Sequence, residues 1–153
     1  MNGLYYLAPE AVALAAPVDK HSVIDELAGL FAGTYDLDRA VVRQQLEERE
    51  ALGSTGFGRG AAIPHARLPG ISRPVSAVLR LEAPVDFDAA DGQPVQLAFG
   101  LLSPEQAGAT HLHALAAISR LLREERVHEA IVAANEPEVI YSLLSNVSDR
   151  DAA

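Results

Sequence analysis

The sequence predicts an α/β fold in which helices cover a β-sheet. Two apolar runs, Val75 to Leu81 and Val95 to Leu102, have the length and composition of buried strands. The second run is almost entirely apolar, which is typical of a central strand covered on both faces. Segments with helical spacing of apolar residues precede and follow these strands, and 153 residues without a repeat or long linker suit one domain.

The remaining elements follow from local patterns. The first dozen and a half residues are apolar but contain Pro9 and Pro17, which favours a strand or arm over a helix. Ala61 to Ile63 predicts a short buried strand, and Pro84 to Gly92, with three aspartates, predicts a loop. Periodicity predicts four helices: Lys20 to Ala32 with a C-terminal cap at Gly33, Asp38 to Leu52, Thr110 to Val127 and Pro137 to Val147.

Composition excludes several classes of protein. A formal net charge of −9 makes the chain a poor partner for a nucleic-acid backbone. The absence of cysteine excludes disulfides and thiolate metal sites. The apolar stretch from Ala11 to Val18 is too short to span a bilayer, and Glu10 precedes any cation, unlike in a secretory signal. We therefore expect a cytoplasmic protein without direct membrane insertion.

The most unusual segment is Arg49 to Arg67, in which four glycines, a Ser-Thr pair and three arginines surround His65. Glycines allow a backbone to turn tightly and approach a ligand, and arginines bind oxyanions. A neutral imidazole nitrogen is a usable nucleophile at physiological pH. This combination predicts a histidine that takes up a phosphoryl group.

Other interpretations of the glycines fit less well. No Gly-Lys-Ser/Thr completes a Walker A motif, and Ser54 lacks the flanking glycines of a hydrolase nucleophile elbow. A dinucleotide fingerprint can be read from Gly56 to Ala61, but a helix precedes it and a strand follows, the reverse of the required order. A plain helix-to-strand connection needs one or two glycines rather than four.

Arg49 and His111 are the candidate companions of His65. Arg49 continues the apolar stripe of Val42 and Leu46 at i+7, so it is expected to point inward, although a snorkelling side chain at a helix end is the alternative. Helical periodicity turns His111 inward and His113 outward, and a satisfied core histidine is the alternative for His111.

His21 and His128 lie on polar helix positions and are expected to be solvated. A zinc site from His65, His111 and a loop aspartate is a further alternative, but no ligand pair has the i, i+4 spacing of helical metal sites.

The segment Arg49 to Arg67, together with Thr110-His111-Leu112, resembles the enzyme IIA domains of the bacterial phosphotransferase system (PTS). The similarity is to the fructose/mannitol class, and particularly to its nitrogen-related, stand-alone members. It covers residues 4–147 as a single domain and leaves 148–153 as a C-terminal tail. The resemblance implies an α/β fold with a mixed β-sheet of about five strands and helices on both faces.

The resemblance also implies roles for the site residues. His65 corresponds to the phosphoryl acceptor, His111 to a second active-site histidine and Arg49 to the motif arginine. The donor would be a phosphorylated HPr-like (or NPr-like) carrier protein, and no cofactor or metal is expected. Arg59 lies in the turn that contains the four glycines, Gly53 to Gly60, which we call the glycine turn. Many relatives carry asparagine at this position. Around these residues, further phosphate-binding donors are expected from Ser54, Thr55, Gly56 and Gly58.

Two functions remain open at this point. The chain is either a regulator whose phosphorylation controls protein binding, or a sugar-PTS component that passes phosphate to a separate IIB/IIC permease. The lack of a fused permease domain favours the regulator. A third alternative is a small-molecule binding domain without chemistry.

Overall fold

The computed structural model describes residues 3–152 and confirms the α/β class, with six strands and five helices in that range. The strands are β1 Tyr6–Ala15, β2 Gly56–Gly58, β3 Ala61–Ala62, β4 His65–Leu68, β5 Val75–Val85 and β6 Val95–Pro104. The helices are α1 Lys20–Tyr35, α2 Arg39–Ala51, α3 Ala109–Leu122, α4 Glu125–Ala133 and α5 Pro137–Ala152.

The strands form one mixed sheet in the order β1-β5-β6-β3-β2, with β4 also paired to β6. β1 runs parallel to β5, β5 is antiparallel to β6, and both β3 and β4 are parallel to β6. The expected central position of the Val95 to Leu102 strand is confirmed. The sheet has six strands rather than about five because β3 and β4 lie along the same edge of β6, interrupted at Ile63 and Pro64.

Helices pack on both faces of the sheet. A Cβ on Gly100 would meet the ring of Phe31 in α1 at 2.8 Å, so this face of β6 lies close against α1. Ser103 lies three residues further along β6 and contacts His111 of α3. Because neighbouring side chains in a strand alternate between faces, α1 and α3 cover opposite sides of the sheet. The largest fully buried side chains come from α1, α2, the sheet and the loop after β5: Phe31, Phe87, Phe99, Leu7, Ile24, Leu27, Leu46, Leu79, Leu81, Leu97, Leu101 and Leu102.

The start of α2 was correctly placed, since the Asp38 carboxylate accepts the amide hydrogen of Ala40 at 2.9 Å. The predicted cap at Gly33 is wrong. α1 continues to Tyr35, and Asp36 provides the left-handed C-terminal residue with φ 56°. Aspartate tolerates that conformation better than most residues with a side chain, so no glycine is required there.

The single predicted helix from Thr110 to Val127 is also wrong, because the chain breaks between α3 and α4. Arg123 ends the first helix, and Glu124 has an extended backbone with ψ 111°. The break changes the direction of the helix, so that Val127 and Ile131 of α4 are buried. The last predicted helix extends beyond Val147 to Ala152, across most of the expected tail. Among the residues described, no helix is both long and apolar enough to span a bilayer.

Candidate functional site

His65 begins β4, directly after Pro64, and its ring is held in one protonation state. Its Nδ1 lies 2.7 Å from the backbone oxygen of Ile63. A carbonyl oxygen can only accept, so Nδ1 carries the ring proton and Nε2 keeps its lone pair. The side chain is half-buried. The local backbone therefore presents Nε2 as the available nucleophile.

Arg49 in the last turn of α2 contacts that same nitrogen. Its Nε donates to His65 Nε2 at 3.2 Å, and its Nη1 donates to the backbone oxygen of Gly53 at 2.9 Å. Arg49 is thus an inward-pointing residue, as its spacing predicted, and the snorkelling alternative is set aside. Because arginine has no acceptor, this contact independently requires an unprotonated Nε2 on His65.

Glu50 in the last turn of α2 is buried, although a carboxylate is normally exposed. Its side chain is 4% exposed and lies 2.9 Å from Lys20 Nζ. It also accepts the amide hydrogen of Thr55 at 2.9 Å and the hydroxyl hydrogen of the same residue. The sequence contains a signal for this burial, because Glu50 follows Leu46 by four residues on the apolar stripe that begins at Val42. Glu50 ties the end of α2 to the glycine turn.

The Ser-Thr pair points into the protein rather than toward open solvent. Ser54 Oγ donates to the backbone oxygen of Phe87 at 2.6 Å and accepts the amide hydrogen of Gly56 at 3.0 Å. The hydroxyl of Thr55 is donated to Glu50. The two hydroxyl groups that were expected to bind phosphate therefore hold the turn in place beside His65.

The glycines allow the aspartate-containing loop after β5 to close over the turn. The backbone oxygen of Gly56 accepts the amide hydrogen of Ala90 at 2.9 Å, and a Cβ on Gly56 would meet the Cβ of Ala89 at 3.0 Å. Gly58 has φ 112°, and a Cβ there would lie 3.1 Å from the carboxylate of Asp91. At Gly56 and Gly58 a side chain would therefore collide with the second loop that packs on the turn.

Arg59 has φ 60°, a left-handed conformation that asparagine adopts more readily than arginine. Its backbone N–H donates to Asp91 Oδ2 at 3.0 Å, and its Nη1 donates to the backbone oxygen of Arg123 at 3.2 Å. The guanidinium of Arg59 is therefore directed to the junction of α3 and α4.

His111 is 6% exposed and faces His65, with 5.6 Å between the ring centroids. Its Nδ1 lies 2.7 Å from Ser103 Oγ. The inward prediction is confirmed, as is the exposed position of His113. No local sequence pattern indicates Ser103, because only strand pairing brings it to the site.

The surroundings keep both site histidines neutral. Burial lowers the pKa of His65, and the Arg49 guanidinium lowers it further. Burial lowers the pKa of His111 to about 4, with smaller contributions from Arg67 and His65. At neutral pH each ring therefore carries a single proton.

The two remaining helical histidines differ from one another. His21 is exposed and lies 3.0 Å from Glu47, in agreement with its predicted surface position. His128 was expected to be solvated, but it is half-buried against Gly60, and its Nδ1 has no partner among the residues described. The prediction for His128 was wrong because the break before α4 turns this residue toward the glycine turn.

Two shallow depressions of about 370 and 360 Å³ meet at Arg49 and His65. Leu52, 84% exposed, lines the second, and Leu112, 63% exposed, follows His111 in α3. Among residues 3–146, whose side chains the structure describes, no three His, Asp or Glu side chains are grouped so that they could hold a metal ion. The zinc alternative therefore has no ligand set in this part of the chain. The two depressions open to the surface beside Arg49 and His65.

We expect stability to depend on pH through His111. The unfolded chain binds a proton at its ordinary pKa of 6.5, whereas the folded protein does so only near 4. The unfolded state binds more protons in this window, so the free energy of unfolding should decrease as pH is lowered from 6.5 to 4. Denaturant titrations across that range should show a weaker pH dependence for His111→Gln, and an equal dependence in both proteins would contradict the assignment.

Replacing Glu50 with alanine should destabilise the fold by about 3–5 kcal/mol, as is typical when one partner of a buried ion pair is removed. The loss leaves Lys20 without its closest carboxylate and frees the amide and hydroxyl of Thr55. Urea unfolding measures the change. Glu48→Ala on the exposed face of α2 is the matched control and should change stability by less than about 0.5 kcal/mol. An effect of Glu50→Ala as small as this control would contradict the structural role.

Comparison with known proteins identifies the family of this chain. Residues 6–147 match the family described as "Phosphoenolpyruvate-dependent sugar phosphotransferase system, EIIA 2". The chain therefore belongs to the type-2 EIIA family of the phosphotransferase system.

Particular relatives are similar over most of their length. The chain is 43% identical over 140 residues to a nitrogen regulatory protein from Bradyrhizobium diazoefficiens, covering 91% of this chain and 92% of the relative. It is 38% identical to the fructose-specific EIIA component of Haloferax volcanii, covering 86% of each. The crystal structure of IIA-Ntr from Neisseria meningitidis superposes with a TM-score of 0.83 at 34% identity, covering 90% of this chain and 95% of that one.

Proposed function

We propose that the chain is a phosphocarrier that accepts a phosphoryl group on His65 Nε2 from a phosphorylated HPr-like protein. We further propose that its phosphorylation state regulates binding to a target protein. The observation that carries the proposal is the contact between His65 Nδ1 and the Ile63 carbonyl oxygen at 2.7 Å. This contact fixes the proton on Nδ1 and leaves Nε2 unprotonated, so that Nε2 can act as a nucleophile.

In the proposed reaction, the lone pair of Nε2 attacks the phosphorus of the donor's phosphohistidine in line with the bond that breaks. A new N–P bond forms on His65, and the electron pair of the old N–P bond returns to the donor imidazole. Phosphoryl transfer depends mainly on positioning and charge stabilisation, and no cofactor has a step in this scheme.

Arg49 would stabilise the transferred group. Its Nε lies 3.2 Å from His65 Nε2 and donates to it. Once Nε2 carries the phosphoryl group, Arg49 would donate instead to the phosphoryl oxygens, which lie close to that nitrogen. His111 faces the same space from α3 and would bind a phosphoryl oxygen. The predicted phosphate-binding residues would contribute indirectly, by holding the turn whose Gly53 oxygen accepts a hydrogen bond from Arg49. These residues are Ser54, Thr55, Gly56 and Gly58. Residues 4–147 would act as one domain in this role.

The surface around His65 suits a protein partner rather than a small metabolite. The depressions are shallow, and the exposed Leu52 and Leu112 offer apolar contact area beside the charged Arg49 and Arg67. A phosphorylated carrier could bring its own histidine to Nε2 while covering these leucines. The proposed role places the protein in the cytoplasm, with the carrier that supplies its phosphate.

Regulation is the function that the relatives favour. The Bradyrhizobium relative and the Neisseria structure are both named as nitrogen regulatory proteins. A phosphate adds about −1.5 to −2 charges at neutral pH, enough to change how the surface around Leu52 and Leu112 binds a partner. The second candidate, transfer to a separate permease IIB domain, is supported by the fructose-specific EIIA relative.

The experiment combines phosphorylation with binding. Wild-type protein incubated with phosphorylated HPr-like carrier should take up one acid-labile phosphoryl group, and failure to do so would contradict the carrier role. His65→Asp and His65→Ala, as charged and uncharged forms, should then differ in the target proteins that they retain. If both forms bind the same targets and deletion of the protein abolishes uptake of one sugar, the transport function replaces regulation.

A further inference from the structure

Ser103 lies on β6 behind the active site and is completely buried, with 0% exposure. Its Oγ lies 2.7 Å from Nδ1 of His111. β4 pairs with β6 so that Arg67 is opposite Ser103 and His65 is opposite Leu101, which places Ser103 two residues from the strand position beside His65. Ser103 therefore reaches the site only through the second histidine.

The direction of this hydrogen bond follows from burial. A hydroxyl group can donate or accept, but a buried O–H group that does not donate is costly. Among the residues described, the only side-chain hydrogen bond of Ser103 is the one to His111. The hydroxyl therefore donates its hydrogen to His111 Nδ1, and that nitrogen contributes its lone pair.

The consequence for His111 is a single tautomer. Burial and the Arg67 guanidinium keep this ring neutral, with its pKa lowered to about 4. A neutral imidazole has one N–H, and an Nδ1 that accepts must be unprotonated. The proton therefore resides on Nε2 of His111, which is free to donate.

The two histidines of the site are consequently opposite tautomers. On His65 the Ile63 carbonyl holds the proton on Nδ1 and exposes a lone pair at Nε2. On His111 the Ser103 hydroxyl leaves the proton on Nε2. With 5.6 Å between the ring centroids, one ring can attack phosphorus while the other donates to an oxygen of the same group.

We propose that Ser103 is a positioning residue that holds His111 in the Nε2–H tautomer, so that His111 donates a hydrogen bond to the phosphoryl group carried by His65. This inference rests on the proposed phosphocarrier function. It adds a residue that acts through His111 and does not itself touch the phosphoryl group.

The first test does not require phosphate. Long-range ¹H–¹⁵N correlation spectra distinguish imidazole tautomers, and wild-type His111 should be protonated on Nε2 at pH 7. Ser103→Ala removes the donor and should produce a mixture of tautomers. A wild-type His111 protonated on Nδ1, or a Ser103→Ala protein with an unchanged tautomer, would overturn the proposal.

The second test measures transfer. Ser103→Ala should lower the rate constant of phosphoryl uptake at saturating carrier by about tenfold, with the half-saturating carrier concentration unchanged. Ser103→Thr restores a hydroxyl and should recover the rate.

Ser76→Ala is the matched control, because Ser76 is an equally buried serine whose hydroxyl donates to the Tyr6 oxygen at 2.9 Å, away from the site. If Ser76→Ala and Ser103→Ala lowered the rate constant of phosphoryl uptake equally, Ser103 would have only a packing role. If wild-type protein takes up no phosphate at all, the carrier function fails, whereas the tautomer measurement still decides the role of Ser103.

Discussion

His65→Ala is expected to take up no acid-labile phosphate from a phosphorylated HPr-like carrier. The variant lacks Nε2 of His65, the ring nitrogen that is unprotonated and lies beside Arg49. The loss should be complete rather than partial, because the nucleophile is removed. Incubation with labelled, phosphorylated carrier, followed by measurement of phosphate bound to the chain, tests this.

His113→Ala is the matched control for this experiment. His113 is an exposed histidine on α3, two residues from His111, and its removal should leave labelling unchanged. His65→Gln keeps a polar side chain of similar size and should also be unlabelled while remaining folded by circular dichroism. Full labelling of either His65 variant would assign the phosphate to another residue.

Arg49→Ala is expected to slow phosphoryl uptake by about 100- to 1,000-fold, the usual cost of removing one group that stabilises developing charge. Arg49 Nε lies 3.2 Å from His65 Nε2, so in the proposed reaction its guanidinium would donate to the phosphoryl oxygens. The effect should be on the rate constant at saturating carrier, which rapid-quench labelling measures.

Two variants separate this role from general electrostatics. Arg43→Ala removes an arginine from the same helix that is paired with Asp25 at 3.4 Å, and it should change the rate little. Arg49→Lys keeps the charge but loses the planar fork, and it should recover only part of the rate. If Arg49→Ala reacts at the wild-type rate, the contact with His65 has no role in transfer.

The sequence predicted the sheet well because its central strands are long and apolar. The Val95 to Leu102 run is almost entirely apolar, which is typical of a strand in the middle of a sheet, and it forms most of β6. The Asp38 start of α2 was found because its cap is formed by the residue itself. Features determined by a few consecutive residues were therefore predictable.

Boundaries that depend on distant packing were not predictable. The break between α3 and α4 turns Val127 and Ile131 into the core, and nothing near Glu124 signals it. Glu50 shows the same difficulty at the site. A carboxylate is normally an exposed residue, and only Lys20 and Thr55, which the fold brings to it, make its burial possible.

The candidate site was predicted in its three main residues because each breaks a local rule. Arg49 lies on an apolar stripe, His111 points inward, and His65 follows an excess of glycines. Ser103 breaks no rule, since a serine in a strand is ordinary. The sequence thus indicated the three residues that meet at the candidate site and missed Ser103, which contacts His111.

The position of the phosphoryl group on the ring tests the proposed role of His65 most directly. Because the Ile63 oxygen holds the proton on Nδ1, we expect ¹⁵N and ³¹P spectra of the phosphorylated protein to place phosphorus on Nε2 of His65, with Nδ1 still donating to that oxygen. Phosphorus on Nδ1 of His65, or on another residue, would contradict it.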